Sequence, residues 1–181
     1  MTDPRFPIGK FHRAAEYTKD QRAQYISDLA SLPQFMRNAV HGLSDAQLDT
    51  PYRDGGWSVR QVVHHVPDSH MNSYVRFKWA LTEDNPLIKS YFEDRWAELA
   101  DSKQPVEGSL VLLDRLHERW VVLLQSMDEA AWTRTFKHPE NGDVPLSMAL
   151  ALYSWHSRHH VAHVVALRER MGWGDFERPT W

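Results

Sequence analysis

At 181 residues without a cysteine, the chain is long enough for one domain with a substantial core, and disulfides, thiolate nucleophiles and sulfur-ligated metals within it are excluded. Its 42% hydrophobic and 25% charged content are those of an ordinary globular protein, and a formal net charge of -3 gives no broad basic field for nucleic acid. No apolar run approaches the roughly 20 residues of a membrane span, and residues 1–5 lead into no hydrophobic segment of signal-peptide length, so the expectation is a cytoplasmic protein with neither a membrane nor a nucleic-acid partner.

Residues 1–17, with Pro4, Pro7 and Gly9, predict an extended arm that packs through Phe6, Ile8 and Phe11. Thr18 is placed to cap a helix running to about residue 40, in which Tyr25, Leu29, Leu32, Met36 and Val40 recur at three- and four-residue steps and Pro33 imposes a bend. Gly42 ends it, Ser44-Asp45-Ala46-Gln47 begins a short helical turn, and Arg53-Asp54-Gly55-Gly56 is a tight turn. Ser58 and Gln61 form a capping box for a second long helix to about residue 82, with Trp57 as hydrophobic staple and Pro67 predicting a kink after His65.

Residues 91–100 are expected to be partly helical, and Pro105 introduces a third helix with apolar positions at Leu110, Leu113, Leu116, Trp120 and Leu124. Residues 137–143 read as a loop. A fourth helix runs from residue 147 to about 171 and closes at Gly172. No strand run is convincing, so the fold class is all-α, a four-helix bundle with an extended N-terminal arm, in one domain of residues 1–181. The eight tryptophans, spread along the chain, read as core and interface anchors.

The chemistry is concentrated in histidines. Residues 156–163 read His-Ser-Arg-His-His-Val-Ala-His, inside a segment with the apolar spacing of a buried helix. Wrapped at about 100° per residue, Ala149, Tyr153, His156, His160 and Leu167 share a sector of roughly 60°, which places two imidazoles on the core-facing stripe. The same projection of the second helix groups Ser58, His65, Ser69, Asn72 and Arg76, between a sector holding Val63, His70, Phe77 and Leu81 and one holding Met71 and Val75. His64 points away from that polar stripe.

Burying such groups unpaired costs a few kcal/mol each, whereas one metal ion satisfies three imidazoles and keeps a coordination position open. His65, His156 and His160 are therefore the candidate ligands, with Ser69, Asn72 and Arg76 lining a cavity beside them. His163 and His159 are candidates for an acid/base group near the ion or for support of the ligands. Glu140 is a loop carboxylate and a candidate general base. Asp68 is expected to form a salt bridge or to accept a hydrogen bond from a ligand histidine, and His12, His41, His70, His117 and His138 are assigned to packing.

A zincin protease is excluded because Ser157, not Glu, follows His156; neither G-x-S-x-G nor a phosphate-binding G-x-x-x-x-G-K-[ST] occurs. The stretches Gly55-Gly56-Trp57-Ser58-Val59-Arg60-Gln61-Val62-Val63-His64-His65-Val66, Asp68-Ser69-His70-Met71-Asn72-Ser73-Tyr74 and Trp155-His156-Ser157-Arg158-His159-His160-Val161-Ala162-His163 resemble the DinB/YfiT-like proteins, and the likeness extends through Trp96-Ala97-Glu98-Leu99-Ala100-Asp101-Ser102 and His138-Pro139-Glu140.

That resemblance implies a four-helix bundle, a homodimer, and a divalent metal held by His65, His156 and His160. Pro67 departs from the family pattern, where a small helix former is expected. The family's implied activities are metal-dependent hydrolysis and, in relatives, transfer or isomerisation with low-molecular-weight thiols such as bacillithiol or mycothiol. The resulting expectation is a zinc or nickel enzyme that activates water on a small-molecule substrate, with Arg76 and Asn72 as anchors. The alternatives are S-transfer of bacillithiol to an electrophile and a non-enzymatic helical interaction module.

Overall fold

Side chains write the helix starts. Thr18, Ser44 and Ser58 sit in extended backbone, accept from the main-chain N–H three residues on, and donate their own N–H to the side chain of Gln21, Gln47 or Gln61. The structure, a computed structural model, describes residues 3–181. Its elements run α1 (Lys19–Val40), α2 (Asp45–Leu48), α3 (Val59–Thr82), α4 (Glu93–Trp96), a 3-10 turn at Asp101–Lys103, α5 (Glu107–Gln125), α6 (Glu129–Thr133), β1 (Thr135–His138), β2 (Gly142–Pro145) and α7 (Leu146–Met171).

The four long helices fall where the apolar spacing puts them, and Gly172 closes α7 in the left-handed conformation that spares it a Cβ clash. Two regions differ. The segment read as a loop at 137–143 is the core of an antiparallel hairpin, in which Phe136 and Val144 face each other and are buried. Four-residue strands carrying Lys137 and Asp143 show too little alternation to be read from pattern, although Asn141-Gly142, with Gly142 at φ 69°, is a hairpin signal. Asp128 caps the short helix α6, which has no apolar period of its own.

α1 and α3 continue through Pro33 and Pro67, each of which lacks an N–H and so leaves the carbonyl four residues earlier without its helical donor. The second region is the arm: Phe6 and Phe11 rest against His159 and Trp155 of α7, each at 6.1 Å between ring centroids, but Ile8 is 43% exposed.

α1 packs on α5 and α7, and α3 packs on the same two helices, so the order around the bundle is α1, α5, α3, α7. Two apolar clusters fill it. Leu32, Met36, Val62, Val66, Leu113 and Val161 belong to one, and Leu29, Phe77, Trp120, Leu124 and Leu150 to the other. Each fully buried side chain of this size contributes about 1.5–3 kcal/mol. Between the clusters the buried side chains turn polar, with Ser69, His70 and Ser73 on α3, His117 on α5, and Ser154, Ser157 and His160 on α7. The site belongs to this middle layer.

Candidate metal centre

Because α3 and α7 are neighbours, their facing stripes meet. His65 from α3 and His156 and His160 from α7 each offer a ring nitrogen, and these atoms lie within 4.8 Å of one another. His65 Nε2 and His156 Nε2 are 3.3 Å apart. Two imidazoles sharing a tetrahedral ion through bonds of about 2.0–2.1 Å place their nitrogens about 3.3 Å apart, so the pair already has a ligand spacing. His160 Nδ1 is buried without a hydrogen-bond partner among the described residues, which leaves an uncompensated polar atom in the cluster.

Burial pushes His65 down to about 4 and holds His156 and His160 well below the usual histidine range, with neighbouring imidazoles adding to the effect at the latter two. All three rings are neutral at pH 7. Neutral imidazole is the form that binds metal, and three nitrogen donors with no sulfur or carboxylate among them suit a late transition ion. The residues fit such an ion.

The cluster forms one wall of an open cavity of about 330 Å³, completed by Trp57, Ser69, Tyr91, Glu93, Tyr153, Trp155 and His159. Trp57 lies against His65 at 4.6 Å between ring centroids, and Trp155 stacks on His159 at 4.3 Å. Tyr153 Oη donates to the Ser69 carbonyl at 3.1 Å, and Ser69 Oγ lies 3.4 Å from His156 Nε2. Burial raises the Tyr91 hydroxyl above its ordinary range, against the opposing pull of its hydrogen bond with Ser69, so Tyr91 stays a neutral phenol. Glu93 is the one carboxylate on the lining and is exposed.

The other expected site residues are distributed less tightly. Ser69 lines the cavity. Asn72 donates to the Asp68 carbonyl at 2.9 Å, Arg76 donates to the Lys89 carbonyl at 3.1 Å, and neither lines the cavity. The stripe they share with His65 is apolar on both sides but asymmetric: Phe77 and His70 are fully buried, whereas Met71 is 38% exposed. His163 stacks on Tyr52 at 4.0 Å, places Nε2 3.3 Å from the Arg5 carbonyl, and is outside the lining; burial pushes it down to about 3. Glu140 is exposed at the hairpin tip, its N–H donating to His138 Nδ1 at 3.2 Å.

Asp68 makes neither expected contact. Among the described residues it has no ion pair and its carboxylate no hydrogen bond, and burial together with the like charge of Asp101 pushes it up to about 6. His64 points away as its helical angle requires, with Nδ1 2.7 Å from Ser109 Oγ and Nε2 2.9 Å from the Gln104 carbonyl.

Two residues assigned to packing stand directly behind the three-histidine cluster. His70 Nε2 lies 3.0 Å from His156 Nδ1, His70 Nδ1 lies 2.9 Å from His117 Nε2, and His117 Nδ1 donates to the Leu29 carbonyl at 2.6 Å. The signal for both was a histidine on a stripe that otherwise calls for leucine, between Val63 and Phe77 on α3 and between Leu113 and Trp120 on α5. Tyr91 and Glu93 had no such signal, since Tyr91 lies in irregular backbone and Glu93 opens the four-residue helix α4, which is too short to show a period.

Residues 28–164 match the DinB superfamily. A relative from Bacillus mycoides (strain KBAB4), named "Putative metal-dependent hydrolase", is 55% identical over 173 residues, covering 96% of this chain and 100% of the relative. A relative from Bacillus cereus (strain B4264) with the same description is 54% identical over the same coverage. Among solved structures, YfiT from Bacillus subtilis, described as "a probable metal-dependent hydrolase with an unusual four-helix bundle topology", superposes with a TM-score of 0.93 at 48% identity, covering 96% of this chain and 100% of that one. TT2238, a four-helix bundle protein, shares the fold at a TM-score of 0.55 and 20% identity, covering 77% of this chain and 94% of that one.

Proposed function

The chain belongs to the DinB superfamily, and from that premise we propose that it is a metal-dependent hydrolase whose ion, zinc or nickel, is held by His65, His156 and His160. The observation that carries the reading is the convergence of three neutral ring nitrogens within 4.8 Å at the wall of an open cavity. A divalent ion bound there supplies a Lewis acid that brings a water molecule to near-neutral pKa and polarises the bond to be broken.

The chain's own residues do the rest. Trp57 and Trp155 wall the cavity and restrict water at the reacting bond. The hydroxyls of Tyr91 and Ser69 orient a polar group of the substrate, and Glu93 takes up the proton that hydrolysis releases. In this assignment Glu93 replaces Glu140 and His163 because it is on the lining and they are not. The cavity volume of about 330 Å³ suits a small molecule.

The test is elemental analysis of protein purified without an affinity tag, followed by assay against small esters and amides. The wild type should carry close to one zinc or nickel ion per chain. His65→Ala, His156→Ala and His160→Ala should each lose the ion and at least about 100-fold in turnover while staying folded. Unchanged metal content in all three variants would leave a non-enzymatic helical module. Product formed only when bacillithiol is added would replace hydrolysis by thiol transfer, which uses the same ligands and, in a chain without cysteine, requires a thiol from outside.

A further inference from the structure

The three-residue chain behind His156 has a direction, and the direction is set at a backbone carbonyl. In an ordinary helix the Leu29 carbonyl would accept the N–H of residue 33, but residue 33 is Pro33 and has none. The free carbonyl accepts instead from His117 Nδ1 at 2.6 Å. A carbonyl oxygen cannot donate, so the proton of that bond belongs to His117 Nδ1.

His117 is 1% exposed and neutral, so its Nε2 has a lone pair and must accept. Its partner at 2.9 Å is His70 Nδ1, which therefore carries a proton and leaves His70 Nε2 as an acceptor. The partner of His70 Nε2, at 3.0 Å, is His156 Nδ1, which must in turn donate. One proton per neutral ring then leaves His156 Nε2 with its lone pair directed toward His65 and Ser69.

We propose that the Leu29 carbonyl, released by Pro33, acts through His117 and His70 to hold His156 as the Nδ1–H tautomer, making His70 and His117 positioning residues for the metal centre. The relay touches all four long helices: the carbonyl is on α1, His117 on α5, His70 on α3 and His156 on α7. A His156 with its proton on Nε2 would turn an N–H toward the ion. The zinc half of the proposal rests on the His65, His156 and His160 reading, whereas the tautomer half does not.

The experiment is nitrogen NMR of metal-free protein labelled in histidine, with zinc affinity measured by chelator competition on the same samples. In the wild type, His156 Nε2 should show the shift of an unprotonated ring nitrogen and Nδ1 that of a protonated one. His117→Leu removes the acceptor for His70 Nδ1–H, so the relay loses its direction, His156 Nε2 moves toward the protonated shift, and zinc affinity falls by about 10-fold or more. His117→Gln supplies a donor for the Leu29 carbonyl and an acceptor for His70, and should restore both readouts to near wild type.

A wild-type His156 protonated at Nε2 would overturn the proposal, as would a folded His117→Leu protein with wild-type shifts and affinity. So would a His117→Gln protein that behaves like His117→Leu, because a role in packing alone would give that result. If His117→Leu does not fold, the wild-type spectrum and His117→Gln decide. Wild-type protein that binds no zinc would defeat the hydrolase reading, yet the nitrogen shifts would still judge the tautomer.

Discussion

The three-histidine cluster has two flanks, and they are built differently. On the core side, every ring nitrogen of His70 and His117 has a partner, ending at the Leu29 carbonyl. On the arm side, His159 and His163 each bury Nδ1 with no partner among the described residues. The core flank is closed by four helices. The arm flank is covered by irregular backbone, with Phe6 over His159, the Arg5 carbonyl at His163 Nε2, and the Gly9 carbonyl accepting from Trp155 Nε1 at 3.2 Å. Directional bonds hold the side that faces His156, and ring contacts with scattered carbonyls cover the other. An imidazole buried in this protein is therefore not one kind of object: in the relay it is part of the hydrogen-bond ledger, and beside the arm it is largely a flat packing surface.

The sharpest way to break this comparison is to replace one histidine from each flank by leucine. His70→Leu leaves His156 Nδ1–H and His117 Nε2 unpaired in the interior, and should lower stability by about 2–3 kcal/mol, since each stranded buried group costs about 1–3 kcal/mol and the added apolar side chain returns part of that. His163→Leu removes a nitrogen that is already unpaired, a 3.3 Å contact with the Arg5 carbonyl and a stack on Tyr52, and should change stability by less than about 1 kcal/mol in either direction. Urea unfolding of metal-free protein measures both. Equal losses would mean that the two flanks differ in geometry but not in energy.

The next effect sharpens the comparison through pH. Burial pushes His117 down to about 4 from an unfolded value of 6.5. Between those values the unfolded chain binds more protons than the folded one, so stability falls as pH falls through the window and this group adds no further loss below about 4. At pH 5 the contribution from His117 alone is about 2 kcal/mol, taking about 1.4 kcal/mol per pH unit below 6.5. Metal-free protein should thus lose stability steadily from pH 7 to pH 5. His117→Gln should show a shallower fall over the same range, and an identical slope in the two proteins would remove His117 from the account.

Much of this was legible in the sequence. Three- and four-residue spacing fixes which face of a helix a side chain occupies, so His65, His156 and His160 could be placed on inward stripes and His64 on a different one. Spacing says nothing about what stands across the gap. His70 and His117 lie on core stripes, where a lone histidine reads as packing, and only the order of helices around the bundle brings them to His156. The far end of the relay is a main-chain carbonyl, whose only trace in the sequence is Pro33, read there as a bend. Tyr91 and Glu93 reach the cavity from a connection with no period, and the hairpin at 135–145 rests on one buried pair, Phe136 and Val144, that no alternating run announces.

The smallest effect extends the same contrast from imidazoles to carboxylates. Asp28 is buried and served by Gln24 Nε2 at 2.9 Å, by Ser154 Oγ and by Arg158 Nε at 3.7 Å, whereas half-buried Asp68 has the like charge of Asp101 and no partner among the described residues. Burial pushes Asp68 up to about 6 from 3.8, so the folded state holds the extra proton between those values and stability is lost as pH rises through them. At pH 7 the ionised carboxylate is a net cost that an amide avoids. Discounted for solvent access, Asp68→Asn should gain about 1 kcal/mol at pH 7, or about 2–4 °C in Tm, and nothing below about pH 3.8, where the carboxyl is protonated in both states. Asp28→Asn should go the other way, because an amide accepts fewer of the hydrogen bonds already made there. A gain at Asp68 that persisted at low pH would come from something other than the buried charge.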